Sequence, residues 1–138
     1  MKKTDILDVS ARKLAPFILL YGCYVIAYGH LSPGGGFQGG VVLASGVILL
    51  ALCHGVNQGQ TLFPPHLIGL AETIGFLAFL SIGLVGLAAS GSFLINIFPV
   101  REAAQTPNVG FIFLLNLIIG LKVGAGMTLI CFYLLWEE

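Results

Sequence analysis

Charge is scarce in this chain. Its 138 residues carry 6 basic and 6 acidic side chains, 9% in all, and the formal net charge is zero. Soluble domains run nearer to a quarter charged, so a water-soluble globular domain is excluded. With no basic patch, a nucleic-acid partner has nothing to hold. Cysteine is nearly absent as well. Cys23, Cys53 and Cys131 lie far apart with no C-x-x-C pair, which leaves no disulfide framework and no zinc or thiol-redox motif. They read as small buried hydrophobes. No G-K-[ST] follows a glycine loop, so there is no P-loop, and no Ser-His-Asp or Cys-His nucleophile set stands out. His54 and His66 flank a polar loop with no further ligand beside them, which makes interfacial solvation the better account than a metal. No catalytic residue, metal site or cofactor is expected.

What the chain does have is apolar length and glycine. Hydrophobic residues make up 57% and the mean hydropathy is +1.00, the composition of an integral membrane protein. The apolar runs predict an all-α fold, one transmembrane bundle over 1–138, with spans at about 14–28, 39–53, 67–89 and 110–136. Residues 1–11 read as a polar surface segment, and Pro16 as a first-turn proline. Tyr21, Tyr24 and Tyr28 recur at helical spacing and are expected to pack against a neighbouring helix. Residues 93–98 suggest a short interfacial helix. Four of the six basic residues (Lys2, Lys3, Arg12, Lys13) precede the first span, which places the N-terminus in the cytoplasm. Four spans return the C-terminus to the same side.

The 19 glycines are not evenly spread. Gly29-His30-Leu31-Ser32-Pro33-Gly34-Gly35-Gly36-Phe37-Gln38-Gly39-Gly40 joins the first two spans and is expected to be non-helical, because glycine loses the most backbone entropy in a helix and Pro33 removes a donor. A second span of about 15 residues rises only about 23 Å, short of the hydrocarbon core. The glycine segment is therefore expected to dip into the membrane and complete the crossing. Irregular backbone at that depth must lie against protein or a wet cavity. The literal G-x-G-x-x-G at Gly34 to Gly39 is empty as a dinucleotide fingerprint: no strand precedes it, no acidic residue follows at the right distance, and the setting is a membrane.

Elsewhere the glycines mark faces. Gly75, Gly83 and Gly86 share a face of the third span with Glu72 and are expected to serve close helix packing, so that the carboxylate faces protein and not lipid. In the fourth span Gly120 and Gly124 form a G-x-x-x-G with Gly126 beyond, expected to serve close helix packing, while Lys122 lies on a second face. Glu72 and Lys122 are the sharpest chemical signals, since a charge within a span costs about 2.5–3.5 kcal/mol on insertion scales and marks an ion or proton path. Counted from the helix ends, they are offset by about 10 Å along the membrane normal. A direct pair, a water-linked pair, and partners in other subunits all remain open. His30 is either a proton carrier or a hydrogen-bonding residue that ties the loop down.

The twelve-residue glycine segment resembles the G-H-x-x-P-G-G-G-F-x-G-G signature of the MnhB family, at Gly29, His30, Pro33, Gly34, Gly35, Gly36, Phe37, Gly39 and Gly40. Length, span number and loop position agree over essentially the whole chain. Gly120 to Gly126 and Glu72 are more similar to the branch found in hydrogenase-type complexes. The resemblance implies a small membrane subunit of a Mrp-type multisubunit sodium/proton antiporter, or of a membrane-bound hydrogenase or sulfur-reducing complex built on such a module. It implies other membrane subunits as partners, sodium and protons as the transported ions, and no enzymatic step in this chain. On that footing His30, Glu72 and Lys122 are the ion-path candidates. The competing reading is a purely structural assembly subunit. A free-standing four-helix exporter is disfavoured, because such proteins typically hold their key carboxylate in the first span, and residues 14–28 contain no acid.

Overall fold

A computed structural model of the chain describes residues 5–29, 31, 34–54, 61–95 and 109–136. His30, Pro33, the loop 55–60 and the segment 96–108, with half of the expected interfacial helix, lie outside the described residues. The architecture is all-α: α1 (Asp5–Tyr28), α2 (Gly36–His54), α3 (Pro65–Ser90) and α4 (Val109–Trp136). All four helices are long and apolar enough to cross a membrane. In space α2 lies between α1 and α4, and α4 lies between α2 and α3. The third helix is therefore held mainly through the fourth, and it is the least covered of the four while α2 is the most.

α1 starts well before the expected boundary. Its first turns are kept helical by an Asp8–Arg12 ion pair of 3.0 Å at i,i+4 spacing, a contact that supports a helix by a few tenths of a kcal/mol. Ala11 and Ala15 are buried on the same stretch. From Asp5 onward, the segment read as a separate polar piece is thus the start of the first helix. Pro16 consequently sits inside the helix rather than in its first turn. The tyrosines stack on one another, with ring centroids 6.5 Å apart for Tyr21–Tyr24 and 4.7 Å for Tyr24–Tyr28. All three are exposed. Their stripe faces out of this bundle, not into it. Cys53 is buried, whereas Cys23 is exposed on α1, so the expectation of buried cysteines holds for Cys53 and fails for Cys23.

The glycine segment is only half irregular. Gly34 has φ 152, a conformation that side chains disfavour, but Gly36, Phe37, Gln38, Gly39 and Gly40 form the first turn and more of α2. Propensity is overridden here by packing. A β-carbon at Gly36 would run into the backbone oxygen of Asn116, and one at Gly40 would lie 2.7 Å from the oxygen of Gly120 and 3.0 Å from the nitrogen of Gly124. Gly36 and Gly40 thus face Gly120 and Gly124 across a backbone-to-backbone contact, a small-xxx-small pair on each helix. Gly39, on another face of α2, meets Gly22 and Ile26 of α1. With 19 residues, α2 rises about 28 Å, so most of the length deficit that called for a re-entrant loop is closed by helix.

α3 begins on Pro64-Pro65, with Pro65 in the first turn where its missing N–H is harmless. It ends on Gly91 at φ 72, whose N–H bonds to the Leu87 carbonyl, the left-handed cap that favours glycine. Beyond that cap the chain folds back. Phe93 covers Gly83 and Ile95 covers Gly86, so these two glycines receive their own following turn instead of another helix.

Candidate functional site

The third and fourth helices run antiparallel, and glycine sets their register. A β-carbon at Gly75 would lie 3.2 Å from the Lys122 Cβ and 3.5 Å from its Cα. One at Gly126 would lie 3.8 Å from Glu72 Oε1. Each charged residue thus stands opposite a glycine of the other helix. Glu72 is three residues from Gly75, so the two charged levels are only about 5 Å apart along the axis. The offset of about 10 Å inferred from helix ends is too large, because the ends of α3 and α4 are not level.

Glu72 and Lys122 line one cavity of about 390 Å³ together with Phe37, Phe79, Ile119 and Met127. Phe37 comes from the first turn of α2, so the glycine segment reaches the charged site through its one aromatic residue. Both charged residues are partly buried. Among the described residues no ion pair joins them. The Lys122 ammonium instead lies over the ring of Phe76, 4.7 Å from its centroid. Such a contact is worth about 1 kcal/mol at an exposed ring, and Phe76 is exposed, so it offsets part of the lysine's insertion cost. The remaining lining is apolar, so among the described residues the carboxylate and the ammonium are the cavity's only charged groups.

On the opposite flank of the α3/α4 contact lies a second cavity of about 340 Å³, lined by Leu43, Val47, Leu67, Ala71, Leu121 and others. Its polar member is Thr128, which donates to the Gly124 carbonyl at 2.8 Å. That bond occupies the hydroxyl, and the cavity presents no charged group. The two flanks of one helix pair are therefore chemically unlike.

Asn116 has a larger part than its sequence position suggested. Its Oδ1 accepts a hydrogen bond from the Gly36 N–H at 3.4 Å, which caps α2 from another helix. Its Nδ2 is buried and has no partner among the described residues. Gly29 packs against both Gly35 and that amide. The signal that points to Asn116 is its spacing: it extends the Gly120, Gly124 row by one more turn. Phe76 carried no sequence signal, since one phenylalanine among ten is unmarked until a lysine is found above it. Among the described residues no cluster of three metal-ligating side chains occurs. His54 Nδ1 lies 2.9 Å from the Leu50 carbonyl, within its own helix, and His66 is exposed.

A family model described as a domain related to the MnhB subunit of the Na+/H+ antiporter matches residues 6–129. The chain belongs to the MnhB family. Among its relatives, an uncharacterised protein of Methanocaldococcus jannaschii is 32% identical over 143 residues, covering 98% of this chain and 53% of the relative. A Na+/H+ antiporter subunit of Bacillus subtilis is 37% identical over 81 residues, covering 58% of this chain and 57% of its own. A chain in the structure of a membrane-bound sulfane sulfur reductase, an archaeal respiratory membrane complex, superposes with a TM-score of 0.71 at 29% identity, covering 94% of this chain and 57% of that one. This MnhB chain thus spans about half the length of the curated relatives it matches.

Proposed function

We propose that this chain is a membrane subunit of a Mrp-type sodium/proton antiporter module, within a stand-alone antiporter or a respiratory complex, and that it helps to form the cation path. One observation carries the reading: an acid and a base share a cavity at membrane depth without neutralising each other by a direct ion pair. A static structural lock would be closed. Charges kept apart in a cavity are available to an ion or a proton relay, which is the usual reason that such residues persist within spans. The family and the antiporter name of the Bacillus relative support the transport role. The likeness to the sulfane sulfur reductase chain supports a setting inside a larger membrane assembly. In this reading any driving reaction takes place in other subunits. Both termini face the cytoplasm of a prokaryotic cell, as the basic N-terminus favours, and His30 joins Glu72 and Lys122 as a path candidate.

The test is transport by the assembled complex in inverted membrane vesicles, comparing the parent chain with Glu72→Gln and Lys122→Met. Each change is expected to lower sodium/proton exchange by about tenfold or more, equivalent to about 1.4 kcal/mol of barrier, while the subunit still co-purifies with its neighbours. Normal exchange in both variants overturns the reading. Lost co-purification favours the assembly role instead.

A further inference from the structure

The ammonium of Lys122 has two stations on α3, and they are one helical turn apart. Glu72 and Phe76 stand at i and i+4, on one face and about 6 Å apart along the axis. Lys122 is anchored between them, at the level of Gly75, whose lack of a side chain lets the lysine stem pass close to α3. A four-carbon stem with free rotors swings its charge over such a distance without moving the backbone. In this structure the ammonium rests over the Phe76 ring, and among the described residues the Glu72 carboxylate has no hydrogen-bond or ion-pair partner. The two stations hold the same ammonium by different physics: a ring quadrupole that asks for no counter-charge, and a full opposite charge.

We propose that Phe76 is a positioning residue: it parks the Lys122 ammonium away from Glu72 and so leaves the carboxylate open to an incoming cation. Among the described residues no other charged group lines the cavity to compete. The consequence for transport rests on the ion-path reading above; the parking of the lysine does not.

The experiment separates the two. The assembled complex is treated with dicyclohexylcarbodiimide, which reacts with protonated carboxyl groups in apolar surroundings, and labelling of Glu72 is quantified by peptide mass spectrometry. The parent chain is expected to label, and sodium is expected to protect it better than choline. Phe76→Leu keeps the bulk and removes the ring face, so Lys122 falls back on Glu72 and labelling drops about fivefold, the population change that follows from losing about 1 kcal/mol of cation–π attraction. Phe76→Trp keeps parent-level labelling and guards against a folding effect. Adding Lys122→Met to Phe76→Leu restores labelling. Equal labelling in Phe76→Leu, a drop that persists without Lys122, or no labelling of the parent chain each overturns the proposal. Failure of sodium to protect overturns the opening of the carboxylate to a cation. If the labelling pattern holds while Glu72→Gln transports normally, the parking of the lysine stands and the ion-path reading falls.

Discussion

Toward α2, the fourth helix presents Gly120 and Gly124, and the two backbones approach until a methyl group has no room. Toward α3, it presents Lys122 and Gly126, and the contact opens into a cavity of about 390 Å³. The first contact has backbone atoms on both sides and nothing that can move aside. The second has long side chains, empty volume and two charges. In lipid no hydrophobic drive separates the two, since acyl chains are as apolar as leucine, so close packing must hold the bundle. One side of α4 therefore anchors it, and the other side is left free to carry chemistry. The glycine segment belongs to the anchor, and among its described residues Phe37 alone extends into the cavity.

The comparison predicts its own breaking points. The largest effect is expected at Gly40→Leu and Gly36→Leu. At Gly40 even the first added carbon meets backbone of Gly120 and Gly124, which no rotamer change relieves, and overpacking of a tight contact costs about 1–3 kcal/mol. The α2/α4 contact should separate, seen as loss of the subunit from the purified complex and a lower unfolding temperature in mild detergent. Retained assembly with either variant would show that the glycine contact is not the anchor.

Asn116→Ala comes next. It removes the acceptor for the Gly36 N–H, and losing a helix cap costs about 1 kcal/mol. The bond is long, and the change also removes a buried unpartnered amide nitrogen, which returns part of that cost. A net loss below about 1 kcal/mol is expected in thermal unfolding. A larger loss would mean that the cap, and not the glycines, fixes the start of α2.

Much of the fold was legible in the sequence because bilayer thickness writes helix length directly into apolar runs. The spans at 67–89 and 110–136 lie within a few residues of α3 and α4. Two starts were not legible. α1 continues through Asp8 and Arg12 because they pair with each other, a contact that hydropathy counts as two charges and nothing more. α2 begins at Gly36 because another helix fills the space where side chains would be, and propensity measured on isolated helices contains no such neighbour. The site was half legible. Glu72 and Lys122 stand out as rare charges within spans, but their spacing does not, because the register between two helices follows from shape at their contact and not from counting out of the loops. Phe76 and the capping role of Asn116 become visible only once that register is known.

The smallest effect should sharpen the comparison most. Gly126→Ala adds one methyl group to the same helix as Gly120 and Gly124, six residues from the first and two from the second. That methyl would lie 3.8 Å from Glu72 Oε1, an ordinary van der Waals distance, so nothing needs to shift. In a helix interior alanine is favoured over glycine by up to about 1 kcal/mol, and unfolding should therefore be unchanged or slightly later. Gly40→Ala offers the contrast at the opposite contact, because its methyl would lie 2.7 Å from the Gly120 carbonyl oxygen, a backbone atom. The same chemical change should thus destabilise at one face of α4 and not at the other. Transport should divide the other way: the Gly126 methyl narrows the cavity beside the carboxylate while leaving the anchor intact, so exchange falls in a subunit that is at least as stable as the parent. If Gly126→Ala lowers stability and Gly40→Ala does not, the anchoring face has been assigned to the wrong side of the helix.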